Sequence, residues 1–123
     1  MIVIDYRDKR PIYEQVEEKL SKLVVQGVLE TDSKLPSVRA LAIELSINPN
    51  TIQRAYTQLE EKGYIYTIKG KGNYVSPKND WIEERKKMIL EEMRKVVNMA
   101  KAVGIEKEEF IGRVEEVYRE EMT

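Results

Sequence analysis

Apolar residues recur at helical spacing in three successive segments between residues 11 and 62. The first segment opens at Pro11 and closes at Gly27, a residue type common just beyond a helix C-terminus. In the second and third segments the apolar positions fall at i, i+3, i+4 and i+7, so each helix presents one face to a core. These positions are Val38, Leu41, Ala42 and Leu45 in the second helix, and Ile52, Ala55, Tyr56 and Leu59 in the third.

Two polar residues mark where the second and third helices begin. Ser37 and Asn48 are favoured N-cap residues. Pro49 follows Asn48 at the first helical position, where its missing N–H costs nothing because that N–H would have no helical partner. Only residues 46–48 separate the two helices. Two helices joined by so short a turn are the signature of a helix-turn-helix.

β-branched and aromatic residues replace the helical pattern after Gly63. Residues 64–68 and 74–75 are typical of strands, and the sequence KGKG at 69–72 predicts the turn of a hairpin between them. A β-hairpin directly after a helix-turn-helix is a wing. Residues 76–80 interrupt the pattern, so we place a domain boundary after Ser76.

Beyond this boundary, two more helices carry apolar stripes, the first with heptad-like spacing. A two-helix hairpin cannot bury both stripes alone, so a second copy of the chain is implied. The alternative is that the hairpin folds back on its own winged domain. The predicted dimerisation residues are Trp81, Ile82, Ile89, Met93, Val96, Ala100, Phe110, Val114, Val117 and Tyr118. The predicted fold is mainly α with a small β wing: a winged helix-turn-helix at 1–76, then a C-terminal two-helix dimerisation hairpin at 77–123.

Composition narrows the classes of function. The 123 residues include no cysteine and no histidine, which excludes disulfides, thiolate chemistry and histidine-based acid–base catalysis. We expect no metal site and no cofactor. Paired glutamates recur, but most lie among lysines at helical spacing, as on solvated faces, and no nucleophile–base pair is evident. We therefore do not expect an enzyme. No apolar run is long enough to span a membrane, and a cytoplasmic location is expected.

Charge is unevenly distributed along the chain, although the formal net charge is only −1. Residues 34–76 carry six Lys or Arg against three Glu, whereas residues 77–123 carry ten against twelve acidic residues. A modest basic excess therefore coincides with the predicted winged helix-turn-helix, as in proteins that bind nucleic acid.

The polar face of the third helix is a candidate for reading DNA bases. Asn50, Gln53 and Thr57 lie opposite its apolar face, with Arg54 on the flank. Asn and Gln pair with adenine in the major groove and Arg pairs with guanine. The fixed start of the helix places Asn50, Thr51 and Gln53 at the leading end, which contacts base edges in such motifs. The alternative is an ordinary solvated face with an N-cap.

Arg39 and the wing turn are candidates for contacting the DNA backbone. Arg39 lies in the first turn of its helix, where the macrodipole disfavours a cation by about 0.3–1 kcal/mol. A phosphate there would reverse the penalty, whereas the alternative is a local salt bridge. The two glycines of KGKG permit close approach and its lysines supply charge, which suits a minor groove or phosphates. An ordinary hairpin turn is the alternative.

The sequence LPSVRALAIELSINPNTIQRAYTQLEEKGYIYTIKGKGNYV (35–75) resembles the winged helix-turn-helix of the GntR family of bacterial transcription regulators, and residues 11–29 resemble its first helix. NPNTIQRAY and the short tail resemble the YtrA-type subfamily. The resemblance implies a sequence-specific DNA-binding regulator, expected to be a repressor that binds a palindromic operator as a homodimer. It implies that the residues that contact DNA are Ser37, Arg39, Asn48, Asn50, Thr51, Gln53, Arg54, Lys69, Gly70, Lys71 and Gly72.

The chain departs from the family pattern in places. Thr31 and Asp32 replace a Pro-Gly pair, which we expect to alter the loop but not the contacts. Other branches carry Arg at the position of Gln53, so their operators cannot be transferred to this protein. The tail is too small to enclose a ligand pocket of roughly 300–1,000 Å³ within one subunit, which leaves open a pocket at a dimer interface. The alternative function is a winged-helix protein-interaction module, for which removal of Arg39 should have no effect.

Overall fold

The computed structural model describes residues 1–121. It confirms a mainly helical fold with a two-stranded antiparallel wing. No helix among these residues is long and apolar enough to cross a membrane. In chain order the elements are α1 (Ile12–Val25), α2 (Val38–Leu45), α3 (Pro49–Glu61), β1 (Ile65–Ile68), β2 (Gly72–Val75), a 3₁₀ turn (Lys78–Asp80), α4 (Ile82–Val103) and α5 (Lys107–Arg119).

The chain divides into two compact units, Met1–Glu84 and Arg85–Thr123. The first unit holds α1 to α3 and the wing, together with the 3₁₀ turn and the first residues of α4. Residues 77–84 therefore lie with the winged unit in structure. A division of roles after Ser76 stays a prediction about function.

The core of the first unit surrounds α3. The four apolar residues predicted to face the core, Ile52, Ala55, Tyr56 and Leu59, are each at most 1% exposed. Helix α3 packs against both α1 and α2, and the same core includes Val16, Leu20 and Leu41. Burying side chains of this size stabilises the fold by roughly 1.5–3 kcal/mol each. The core thus holds α3 in place and leaves its other face to solvent.

The predicted caps define the helix-turn-helix. The Ser37 hydroxyl accepts a hydrogen bond from the Ala40 N–H at 3.0 Å, and Asn48 Oδ1 accepts one from the Asn50 N–H at 2.8 Å. Helix α2 ends at Ser46, which adopts a left-handed conformation with φ 56°. These contacts confirm where α2 and α3 begin and where α2 ends, and therefore which residues form the leading end of α3.

The wing is a regular hairpin with Ile65 opposite Val75 and Ile68 opposite Gly72. Its turn is closed by a hydrogen bond from the Lys71 N–H to the Ile68 carbonyl at 2.9 Å, with Gly70 at φ 79°. This conformation, which glycine adopts readily, is the one a type II turn requires at its third position. The KGKG segment therefore forms the turn that its composition predicts.

The segment between α1 and α2, predicted as a connecting loop, is bound to the wing. Leu35 donates its N–H to the Asn73 carbonyl at 2.9 Å, and Ser33 accepts from the Val75 N–H at 3.0 Å. Asp32, one of the two residues that depart from the resembled pattern, adopts φ 66°, a left-handed conformation that Asp tolerates. Its carboxylate accepts a hydrogen bond from the Tyr66 hydroxyl at 2.8 Å and raises the pKa of Tyr66.

The N-terminal residues lie against α1 as an anchor and form no strand. The fully buried side chain of Gln15 accepts a hydrogen bond from the Asp5 N–H and donates one to the Asp5 carbonyl, each at 3.1 Å. Ile2 and Ile4 pack, partly buried, against the core. The N-terminal segment therefore contributes packing to the first unit without adding a strand to the wing.

Candidate nucleic-acid interface

The leading part of the α3 face opposite the core is polar and uncharged. Asn50, Gln53 and Thr57 are exposed, and Thr51 is half-buried. The only side-chain hydrogen bond that the described structure forms within this set runs from Gln53 Nε2 to Thr57 Oγ1 at 3.3 Å. A bond between exposed groups contributes about 0.5–1.5 kcal/mol, so a DNA base can replace it at small cost. The structure thus brings three of the predicted base-contacting residues to the leading end of α3.

Asn48 has a different part in this arrangement from Asn50. Its side-chain oxygen is engaged by the N–H of Asn50, which fixes the first turn of α3. The cap therefore places the side chain of Asn50 at the start of the helix. Asn48 acts on the interface at least through this positioning.

Arg39 is the second residue of α2 and is exposed. Within residues 1–121 no carboxylate lies close enough to form an ion pair with it. Among these residues, the structure therefore does not contain the local salt bridge that was the alternative interpretation of Arg39. The guanidinium lies in the first turn of a helix capped by Ser37, where a bound anion would be favoured.

Arg54 lies to the side of the exposed face of α3. Its guanidinium carbon is 3.8 Å from the ring centroid of Tyr13 in α1, a cation–π contact. Such a contact at an exposed site is worth about 0.5–1 kcal/mol. The structure therefore directs Arg54 towards α1, whereas the other predicted residues of α3 lie at its leading end.

The wing turn presents Lys69, Gly70 and Lys71 to solvent. Gly72 is partly covered by the side chain of Lys34, because a Cβ added at Gly72 would lie 2.9 Å from Lys34 Cε. The sequence reasoning counted Lys34 in the basic excess but did not assign it to the site. No sequence signal assigns Lys34 to the site, because the segment predicted as a connecting loop has no alternation of apolar and polar residues that would indicate its pairing with the wing.

Two acidic residues near this surface, Glu60 and Glu17, have partners within the protein. Glu60 accepts a hydrogen bond from the Thr67 hydroxyl at 3.1 Å, which ties the trailing end of α3 to the wing. Glu17 forms an ion pair with Lys62. Of the six cations between residues 34 and 76, Lys62 alone has an ion-pair partner among residues 1–121. The local basic excess is therefore not neutralised by ion pairs.

The second unit has almost no core of its own. Among residues 85–121 only Ala100 is buried, and Phe110 is half-buried. The other predicted dimerisation residues of this unit are between 41% and 86% exposed. They are Ile89, Met93, Val96, Val114, Val117 and Tyr118. An exposed apolar set of this size marks an interaction surface.

Trp81 and Ile82, which were predicted to lie in the dimer interface, pack in the core of the first unit instead. Trp81 is 5% exposed in the core of the first unit, where its ring stacks on Tyr64 with centroids 5.6 Å apart. Ile82 packs, partly buried, on the same core. The physical reason is Gly63, which has no Cβ and lets the Asp80 carbonyl approach the end of α3. Both residues are thus removed from the exposed apolar set.

Together these features define a class of protein. A helix-turn-helix with a capped, amide-bearing α3, followed by a lysine-containing wing, is a winged-helix DNA-binding domain. The described residues contain no group of three or more His, Cys, Asp or Glu arranged to hold a metal ion.

The sequence profile of the gntR family of bacterial regulatory proteins matches residues 12–75. The chain belongs to this family and is a DNA-binding transcriptional regulator, not an enzyme.

Two relatives resemble the chain over nearly its whole length. The transcriptional repressor YtrA of Bacillus subtilis is 38% identical over 119 residues, which cover 95% of this chain and 92% of that protein. The structure of a GntR family transcriptional regulator from Listeria monocytogenes superposes with a TM-score of 0.76 at 36% identity, covering 92% of this chain and 98% of that one. The resemblance to the YtrA type therefore extends through the C-terminal helices.

A third comparison concerns the winged unit. The DNA-binding domain of AraR, solved in complex with an operator, superposes with a TM-score of 0.53 at 29% identity. The match covers 59% of this chain and 89% of that domain. A domain of similar architecture is thus known bound to operator DNA.

Proposed function

We propose that this regulator is a repressor that binds a palindromic operator as a homodimer, with α3 in the major groove and the wing in the adjacent minor groove. The observation that carries the proposal is the uncharged polar face at the leading end of α3, flanked by Arg39 and the wing lysines without ion-pair partners. The repressor YtrA, similar over 95% of this chain, supports the direction of regulation.

Base recognition is assigned to the leading end of α3. Asn50 and Gln53 each carry one amide donor pair and one acceptor, which match the N6 and N7 groups of adenine. Gln53 exchanges its 3.3 Å bond to Thr57 for bonds to a base. The proposed operator therefore contains an adenine at a position contacted by Gln53 in each half-site.

Backbone contacts are assigned to the N-terminus of α2 and to the wing. Arg39 binds a phosphate through its guanidinium, which removes the unfavourable interaction with the helix dipole. Lys69 and Lys71 bind at the minor groove, where the turn glycines allow the backbone to approach. These contacts position the domain, whereas those of α3 select the sequence.

The dimer is assigned to the apolar faces of α4 and α5. Ile89, Met93 and Val96 on α4, and Val114 and Val117 on α5, are each at least 41% exposed. A second copy of the chain offers the same surface, as a two-fold interface requires. Two domains related in this way place their α3 helices on half-sites about 34 Å apart, or a multiple of that distance. Repression follows by blocking polymerase, and the DNA target places the protein in the cytoplasm.

The experiment is selection of duplexes from a random pool by the full-length protein, followed by binding across a salt series. We expect a palindromic site, two chains per duplex, and preference over a scrambled duplex that persists as salt rises. Gln53→Ala should lower discrimination at one base pair per half-site by about 1–3 kcal/mol. Gln26→Ala, which changes an exposed glutamine at the end of α1, serves as the control.

Two outcomes would contradict the proposal. Equal, steeply salt-dependent binding to every duplex would show attraction to the backbone without recognition of an operator. No binding even at low salt would favour the winged-helix protein-interaction module. One chain per duplex would contradict the homodimer alone and leave operator recognition standing.

A further inference from the structure

We propose that Lys34 forms a phosphate-binding site at the base of the wing, in addition to the lysines of the turn. This inference rests on the proposed operator binding. The site consists of the Lys34 ammonium group and the bare backbone of Gly72 beneath it. Its ligand is a phosphate of the DNA strand that borders the minor groove.

The backbone of Lys34 is held against the wing from both sides. Lys34 forms a bridge with Tyr74, and its neighbours Ser33 and Leu35 are hydrogen-bonded to Val75 and Asn73 over 3.0 and 2.9 Å. The start of the side chain is therefore fixed relative to β2. A lysine on a free loop would lose more conformational entropy on binding than one anchored in this way.

Gly72 determines where the side chain of Lys34 runs. An added Cβ on Gly72 would lie 2.9 Å from Lys34 Cε and 3.7 Å from its Nζ. The aliphatic stem thus crosses the strand where no side chain stands, next to the turn that holds Lys69 and Lys71. Glycine readily adopts the φ of 131° that position 72 has. Because it has no side chain, it also leaves room for the aliphatic stem of Lys34.

The charge of Lys34 is not neutralised within the described chain. None of Lys34, Lys69 and Lys71 forms an ion pair among residues 1–121. Asp32, two residues before Lys34, is hydrogen-bonded to Tyr66 instead. Three cations on one hairpin and the segment paired with it repel one another, and salt screens this repulsion. A polyanion removes this repulsion, so the cluster favours DNA phosphates.

The position of Lys34 favours a phosphate over a base. The turn lysines lie at the tip of the hairpin and enter the groove first. Lys34 lies beside the first residue of β2, behind the tip, where the phosphate strands that border a groove about 6 Å wide would pass. The ammonium group of lysine also acts as a point charge and lacks the bidentate hydrogen-bonding geometry that recognises a base. The contact should therefore add affinity without sequence preference.

The test compares Lys34→Gln with wild type on a selected operator and on a scrambled duplex, over salt from about 0.1 to 1 M. Loss of one phosphate contact lowers the slope of log affinity against log salt by about 0.9. Affinity for both duplexes should fall by about tenfold at 0.1 M salt, with their ratio unchanged. Lys34→Arg should retain the slope. Lys87→Gln on α4, with the same loss of charge, is the matched control.

The outcomes separate this inference from the proposed function. If wild type binds its operator and Lys34→Gln has the same salt slope as Lys87→Gln, Lys34 has no phosphate contact and the inference is wrong. If Lys34→Gln instead changes the preferred sequence, the lysine contacts a base and not a phosphate. If wild type itself shows no operator preference, the proposed function fails first. Circular dichroism and thermal unfolding of Lys34→Gln establish that the protein remains folded.

Discussion

The hydroxyl of Tyr56 donates a hydrogen bond to the carbonyl oxygen of Pro36 over 2.7 Å. Tyr56 lies in the buried face of α3 and is 1% exposed, whereas Pro36 precedes the N-cap of α2. The bond therefore connects the helix proposed to read bases with the start of the helix that carries Arg39. The Tyr56 hydroxyl thus adds a direct bond between these two parts of the proposed interface to the packing of α2 against α3.

Replacement of Tyr56 by phenylalanine should destabilise the protein by about 1 kcal/mol near neutral pH. The variant keeps the buried ring but leaves the Pro36 carbonyl without its partner. Urea unfolding monitored by circular dichroism measures the change. Tyr6→Phe, at a tyrosine that is 72% exposed, should leave the free energy of unfolding unchanged. An equal loss in both variants would contradict a specific role for the Tyr56 hydroxyl.

The raised pKa of Tyr56 predicts that the protein loses stability at alkaline pH. Burial, together with the nearby Glu44 carboxylate, raises the pKa of Tyr56 to about 12. In the unfolded chain the pKa is about 10. Between these values the unfolded state releases the phenol proton and the folded state retains it, so the free energy of unfolding decreases as pH rises from about 10 to 12. The total loss is roughly 2–3 kcal/mol.

The measurement for this prediction is urea unfolding at a series of pH values above about 9, with Tyr56→Phe as the reference. The difference in stability between wild type and variant should shrink or reverse as pH rises, because the variant has no phenol to ionise. A constant difference across the series would contradict the raised pKa.

Arg39→Gln should weaken operator binding without weakening the fold. The side chain is exposed and has no ion-pair partner within the described residues. The substitution therefore breaks no ion pair of the folded protein. Removing a cation from the first turn of α2 should even stabilise the protein by up to about 0.3–1 kcal/mol. The slope of log affinity against log salt should decrease by about 1.

The control for Arg39→Gln is Arg94→Gln, which removes an exposed arginine from α4. Fluorescence anisotropy of a labelled operator across a salt series compares the two variants. Equal affinity and slope in both would remove Arg39 from the interface and would support the protein-interaction module.

Gly63→Ala should be strongly destabilising, by about 3 kcal/mol. Gly63 has φ 85°, and an added Cβ would lie 2.3 Å from the backbone oxygen of Asp80. The left-handed conformation costs a residue with a side chain roughly 1–2 kcal/mol, and the overlap with a backbone atom adds a further 1–3 kcal/mol, roughly. Fluorescence of Trp81, the single tryptophan, follows the unfolding.

Gly27→Ala isolates the contribution of the backbone conformation. Gly27 has φ 74°, but nothing lies within 4 Å of its added Cβ. This variant should therefore lose only about 1–2 kcal/mol. If the two alanine variants prove equally stable, the close approach of Asp80 to Gly63 adds nothing to the cost of the substitution.

Val117→Glu should dissociate the proposed dimer. Val117 is 62% exposed on α5, so the folded monomer tolerates the charge, whereas an apolar interface between two copies would bury it without a partner. Analytical ultracentrifugation should show a shift from two chains to one, accompanied by weaker operator binding. Val28→Glu, at an equally exposed valine in the winged unit, should leave the oligomeric state unchanged. A monomeric wild type would contradict the dimer outright.

Local sequence rules predicted most of the winged unit because its signals are short-range. The caps Ser37 and Asn48, the proline at 49 and the glycines at 63 and 70 each act within a few residues. The spacing of apolar residues identified the buried face of α3, and therefore also the exposed face that carries the candidate site. The positions of residues that depend on contacts with distant segments were predicted less accurately.

Trp81 and Arg54 illustrate that difference. Trp81 was predicted to join the dimer interface, but it stacks on Tyr64 and is buried in the first unit. Arg54 was expected beside the bases, but the ring of Tyr13, far away in sequence, draws it towards α1. Nothing in the local pattern specifies either partner.

The sequence by itself thus determined the order of the elements, where α2 and α3 begin, the polar leading end of α3 and the membership of the GntR family. These properties follow from helical spacing, capping and turn chemistry, which depend on neighbours along the chain. Tertiary structure alone decided that the segment before α2 pairs with the wing, that Lys34 crosses Gly72, and that Tyr56 bonds to Pro36. Such contacts join residues distant in sequence, so helical spacing, capping and turn chemistry, which act between neighbours along the chain, do not specify them.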